Sequence, residues 1–120
     1  EALQAAGLPV RTCDGGTRFD GNKRLAVVGD AAMKTVHVMH WHSGNETRGR
    51  VFMNLRSNKN LDRVGTMIHL GNHINKNPSQ GNSVPPTTMA DTVEAILGVV
   101  LKDSDLDHVA LVMRNIGLMS

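Results

Sequence analysis

The sequence predicts an all-α fold. Apolar residues recur at three- and four-residue steps in successive segments. Gly-, Pro- and Asn-rich stretches punctuate those segments. No stretch alternates apolar and polar residues long enough to argue a strand. At 120 residues the chain has the length of one domain, taken as 1–120, which leaves no room for a substantial RNA-binding domain beside it.

The elements follow in order. Glu1 to Ala6 reads as the end of a helix, and Gly7 to Asn22 reads as a loop rich in Gly, Pro and Asp. From Asn22 to about Trp41 a helix is expected, with Leu25, Val28, Ala32, Val36 and Met39 as its buried stripe and Ser43-Gly44-Asn45 as its end. A second helix is expected from about Glu46 to Arg56, using Val51, Phe52 and Leu55. Ser57 or Asn58 caps a third, carrying Leu61, Val64, Met67 and Ile68 and closed by Gly71. Asn72 to Pro86 is polar and holds three of the four prolines, so it is read as a loop. Thr87 and Thr88 offer caps for a helix with Val93, Ile96, Leu97 and Val100, running to about Leu101. Ser104 or Asp105 caps the last helix, built on Leu106, Val109, Ala110, Val112, Met113 and Ile116, with Gly117 as its stop.

Composition narrows the function. The formal charge is +2 and the pI about 9.1, too mild for a dedicated nucleic-acid binder. The aromatics are Phe19, Phe52 and Trp41, with no tyrosine. That excludes a single-strand binder built on stacking platforms and leaves a partner held through its phosphates. No apolar run approaches the ~18 residues of a membrane span, and no signal peptide is expected at Glu1 to Val10. A single cysteine, Cys13, forms no internal disulfide and fits a reducing, intracellular setting. Asp14-Gly15-Gly16-Thr17 is an ordinary turn, and no small-molecule cofactor is expected.

Two acidic features stand out. Asp30 sits inside an apolar helix, and Asp91 and Glu94 lie three apart, which puts both on one helical face beside the buried one. A carboxylate beside a core is costly unless it is paired or bound to metal. Convergent carboxylates suit hard cations such as Mg²⁺. Plainer roles compete: Asp91 as part of an approximate capping box with Thr88, Glu94 as a solvated acid, and Asp30 as a partner of Arg24 or Arg63.

The order of these pieces resembles the ribonuclease III family. Its signature, Asn-Glu-Arg-Leu-Glu-Phe-Leu-Gly-Asp-Ala-Val-Leu, is similar to Asn22-Lys23-Arg24-Leu25-Ala26-Val27-Val28-Gly29-Asp30-Ala31-Ala32-Met33. Its Ser-Asn-x-x-Leu helix start is matched by Ser57-Asn58-Lys59-Asn60-Leu61, and its Leu-Gly end by Leu70-Gly71. Its Ala-Asp-x-x-Glu-Ala-Leu-Ile-Gly block is matched by Ala90-Asp91-Thr92-Val93-Glu94-Ala95-Ile96-Leu97-Gly98, with Asp103-Ser104 following. The resemblance covers about Asn22 to Leu118. It implies a helical domain that forms a homodimer and cleaves double-stranded RNA with Mg²⁺ or Mn²⁺. Carried over by position, Asp30, Asp91 and Glu94 are the expected catalytic metal ligands.

The departures define the alternative. The family's second signature glutamate, a direct metal ligand, is Ala26, and the first is Lys23. Glu46 lies near another family acid and is expected to compensate in part. Val27 replaces the large aromatic that the family inserts into its partner subunit, so a weaker dimer is expected. Loss of catalysis would leave a structured-RNA-binding, ribosome-associated or dimer-partner subunit.

Other features carry less. His37 and His40 share a helical face that could bind zinc, against the plainer expectation that they lie on the exposed end of the helix. His69, His73 and His108 read as surface or interface residues. Arg48, Arg50, Arg56 and Lys59 form a basic run that could track A-form phosphates, with Arg48, Arg50 and Lys59 as the expected RNA contacts and a solvated helical face as the alternative. Seven methionines are expected to fill an irregular core and a dimer seam.

Overall fold

The computed structural model describes residues 1–43, 54–76 and 83–119. Among them stand four α-helices: α1 (Lys23–His42), α2 (Asn58–Met67), α3 (Pro86–Asp103) and α4 (Leu106–Ile116). A 3₁₀ turn spans Leu70–His73, and a short antiparallel hairpin joins β1 (Val10–Arg11) to β2 (Thr17–Arg18). Of the helix expected over Glu46 to Arg56, residues 46–53 lie outside the described residues. The all-α expectation holds, and among the described residues the hairpin and an isolated bridge between Gln4 and Asn75 are the β structure.

The hairpin occupies the segment expected to be a loop. Strands of two residues are too short to leave an alternating pattern, so only the turn is visible in sequence. Asp14 accepts from the Gly16 amide at 3.0 Å and from the Thr12 hydroxyl, and Gly15 takes φ 86°. Glu1 to Ala6 is not helical. It runs beside Asn75, whose carbonyl accepts from the Ala5 amide at 3.0 Å and whose amide donates to the Leu3 carbonyl at 2.8 Å.

Helix ends differ from expectation where proline and histidine intervene. α3 starts a turn early: Pro85 is its N-cap and Pro86 its first residue, where the missing N–H costs nothing. Asp91 therefore lies well inside α3 and is not a capping-box residue. α2 ends at Met67, before Gly71; His69 takes the left-handed conformation at φ 58°, and Gly71 falls within the 3₁₀ turn. Two caps follow the expectation. The Ser57 hydroxyl accepts from the Asn60 amide at 3.2 Å, and the Asp105 carboxylate accepts from the His108 amide at 2.9 Å. Gly117, at φ 90°, ends α4 and lets the Leu118 amide reach back to the Met113 carbonyl at 2.8 Å, the bond pair of a Schellman motif.

The core lies between α1, α2, α3 and α4, with Met33, Leu61, Val93, Leu97, Met113 and Leu118 fully buried. Of the methionines, Met33, Met89, Met113 and Met119 are inside, while Met39 and Met67 are exposed. The buried stripe of α1 is Leu25, Ala26, Gly29, Ala32, Met33, Val36 and His37. It is rotated from the expected one: Val28 is half-buried and Met39 faces out. α1 is apolar on its outer face as well, with Val27, Val38 and Trp41 exposed, so periodicity alone does not decide which face turns inward.

α1 and α3 share the largest helix–helix interface, and two glycines set how close they come. A Cβ on Gly29 would collide with the Glu94 carbonyl, and one on Gly98 with the Leu25 carbonyl. The crossing is further pinned by Asn22, buried at the start of α1. Its amide donates to the Thr92 hydroxyl at 3.0 Å and to the Ala2 carbonyl at 2.9 Å.

Candidate active site

The glycine contact at the α1–α3 crossing dictates what lies beside it. Asp30 follows Gly29 on α1, and Glu94 is the residue whose carbonyl Gly29 touches on α3. Asp91 stands one turn before Glu94 on the same face. These three acids, separated by up to 64 residues in sequence (30 to 94), line one open cavity of about 310 Å³ together with Lys23, Ala26 and Val27. The sequence-predicted trio is thus brought together.

The cavity is electrostatically crowded. Burial pushes the Glu94 carboxyl up to about 8; the negative charges of Asp30 and Asp91 and a hydrogen bond with Asp30 push the same way, and Lys34 opposes them. Glu94 therefore resists ionisation. Burial also raises Asp91, against the opposing charge of Lys23. Asp30 is paired with Lys34, Nζ to Oδ2 at 3.1 Å, one turn along α1. Neither Arg24 nor Arg63 is that partner: Arg24 bonds Asp20 at 3.1 Å, and Arg63 bonds the Asn60 side chain. Lys34 was missed in sequence, although the Asp-to-Lys spacing of four is a standard ion-pair signal.

Carboxylates are the donor type that a hard, hydrated divalent cation takes. Three carboxylates from two rigid helices face a space large enough for water ligands, which Mg²⁺ retains. Among the described residues no three acidic, histidine or cysteine side chains stand close enough together to hold a metal ion by themselves.

The remaining candidates stand elsewhere. Lys59 is exposed on α2 and lines a separate depression with Asn54, Ser57, Asn60, Asp62 and Arg63. Glu46, Arg48 and Arg50 lie outside the described residues. His37 does not lie on an exposed helix end. It is buried, at the helical spacing set by Gly29 and Met33, and its Nε2 is 3.0 Å from the Leu118 carbonyl. That nitrogen is committed to the C-terminal tail, while His40 lines a different cavity with Arg114 and Asp107, so the two do not form a zinc pair. His69, His73 and His108 are exposed, as expected.

No protein-family model matches the sequence, and no curated protein resembles it significantly. Solved structures do. One is the nuclease domain of ribonuclease III from Campylobacter jejuni, described for flexibility in a region involved in dimer formation. It is 19% identical, with a TM-score of 0.71, covering 96% of this chain and 80% of that one. A second structure of the same nuclease domain, at 2.2 Å resolution, is 18% identical, with a TM-score of 0.73, covering 96% of this chain and 78% of that one. The chain has the fold of the ribonuclease III nuclease domain.

Proposed function

We propose that this chain is an endoribonuclease that hydrolyses double-stranded RNA with a divalent metal ion. The observation that carries the reading is the meeting of Asp30, Asp91 and Glu94 around one cavity on this fold. Mg²⁺ or Mn²⁺, when bound, supplies Lewis acidity at the scissile phosphate and an acidified water. The three carboxylates would hold that ion, and Glu94 would give up its proton to do so. Water adds at phosphorus, the bond to the 3′ oxygen breaks, and a 3′ hydroxyl and a 5′ phosphate result. No side-chain nucleophile is required.

A homodimer belongs to the same reading. Val27, Val38 and Trp41 form an exposed apolar line along the outer face of α1, and Val27 also borders the acidic cavity. Pairing two such faces would set two acidic cavities against one duplex. Lys59, Arg48 and Arg50 are the proposed phosphate contacts, which in A-form RNA read shape more than sequence. Sedimentation at tens of micromolar should give a dimer for the wild type and a monomer for Val27→Lys.

The decisive experiment is cleavage of a long labelled RNA duplex with Mg²⁺ or Mn²⁺, beside an Asp91→Asn, Glu94→Gln double variant. Cutting by the wild type alone is the expected result. A second reading, a subunit that binds structured RNA or a partner without cutting, is favoured by Ala26 and Lys23 on the wall of that cavity. It predicts that both proteins shift the duplex in a gel and neither cuts it.

A further inference from the structure

The acidic cavity carries its own cations. Lys34 lies 3.1 Å from the Asp30 carboxylate, and Lys23 lines the cavity wall beside Asp91. Both stand on α1, Lys34 one turn after Asp30 and Lys23 two turns before it, so one helix carries a lysine on each side of Asp30. Both side chains are exposed, so each reaches in from solvent and can swing away again.

We propose that Lys34 and Lys23 are built-in counter-ions that compete with the divalent cation for the carboxylates, Lys34 being the stronger competitor. The inference rests on the metal-dependent reading above. An ammonium bonded to Asp30 occupies an oxygen that an incoming ion needs, and it repels that ion. Lys34 is paired with Asp30, and Lys23 lines the same cavity as Asp91 and Glu94. Metal binding then means exchange: Lys34 leaves Asp30, its flexible stem carrying the charge to the rim of the cavity. There it is free to meet a phosphate of the substrate backbone. The cavity is therefore tuned to bind metal weakly alone and better when a polyanion draws the lysine away.

The test is Mn²⁺ binding, read from the electron paramagnetic resonance of the free ion, on the folded full chain. A chelator-treated thermal melt confirms that each variant folds. Lys34→Met should bind Mn²⁺ about five- to tenfold more tightly than the wild type, the size expected for one partly screened charge near a dication. Lys34→Arg, which keeps the charge, should stay at the wild-type affinity. Lys23→Met should give a smaller gain. Equal affinity of wild type and Lys34→Met overturns the counter-ion inference and leaves the metal site standing. Failure of every folded variant to bind Mn²⁺ at millimolar concentration overturns both.

Discussion

The two ends of α1 each pack a titratable side chain against another element, Glu94 half-buried and His37 fully buried, and the charges around the two differ. At the N-terminal end, Glu94 of α3 meets Asp30 and Asp91, and burial among like charges leaves it protonated up to about pH 8. At the C-terminal end, His37 is pushed below its ordinary value by burial, with Arg56 and His40 adding to the fall, while its hydrogen bond to the Leu118 carbonyl opposes it. His37 is neutral because its surroundings suit the neutral ring, and its bond ties α1 to the C-terminal tail. Glu94 is held neutral first by burial, as His37 is, but the negative charges of Asp30 and Asp91 push the same way, and such charges favour a cation. A buried group that suits its neighbours reads as structure; one that conflicts with them reads as a site.

The comparison can be broken most forcefully at the crossing itself. Gly29→Ala puts a Cβ into the Glu94 carbonyl, so α1 and α3 must separate. Unfolding in urea should show a loss of about 2–4 kcal/mol, and Mn²⁺ affinity should fall with it, since Asp30 and Glu94 are moved apart. A loss of stability with full metal affinity would mean that the crossing does not set the site.

His37→Ala should cost about 2–3 kcal/mol, from the space left and the Leu118 carbonyl stranded without its partner, yet leave Mn²⁺ affinity unchanged. The folded ring resists protonation, so wild-type stability should fall as pH drops below 6.5, the ring's ordinary value. His37→Ala should flatten that acid limb. A change in metal affinity would show that the two ends of α1 are coupled.

Glu94 has the opposite sign. Its folded carboxyl keeps a proton that the unfolded chain releases near 4.5, so metal-free stability should fall as pH rises from about 4.5 to about 8. Glu94→Gln should remove that slope and stabilise the metal-free protein at pH 8 by about 1–3 kcal/mol, below the full value of the shift because the cavity is open to water. Mn²⁺ should raise the wild-type melting temperature more at pH 8 than at pH 6, because at lower pH it competes with the proton. An unchanged slope in Glu94→Gln would place the titration on another group.

The smallest effect is a control. Asp105→Ala removes the α4 cap and should cost about 1 kcal/mol, with metal affinity and both pH limbs as in the wild type. A larger loss would mean that α4 contributes more to holding the C-terminal tail over His37 than its cap alone.

By itself the sequence determined what is local. Helical periodicity placed all four described helices. Ser57, Asp105 and Gly117 marked ends that the structure keeps, because capping depends on one side chain and a few neighbouring amides. The short signature around Gly29-Asp30 and the Asp91–Glu94 pair were legible because their residue types and spacing are chemical requirements. What only the tertiary structure decided is non-local. Which apolar face of α1 turns inward depends on what packs against it. His37 is buried because Leu118 arrives from the far end of the chain, and the hairpin is too short to leave a period. Above all, Asp30 and Glu94 became one site because two glycines let α1 and α3 touch backbone to backbone. Only at that distance, partly buried between two helices, do separate carboxylates act on one another.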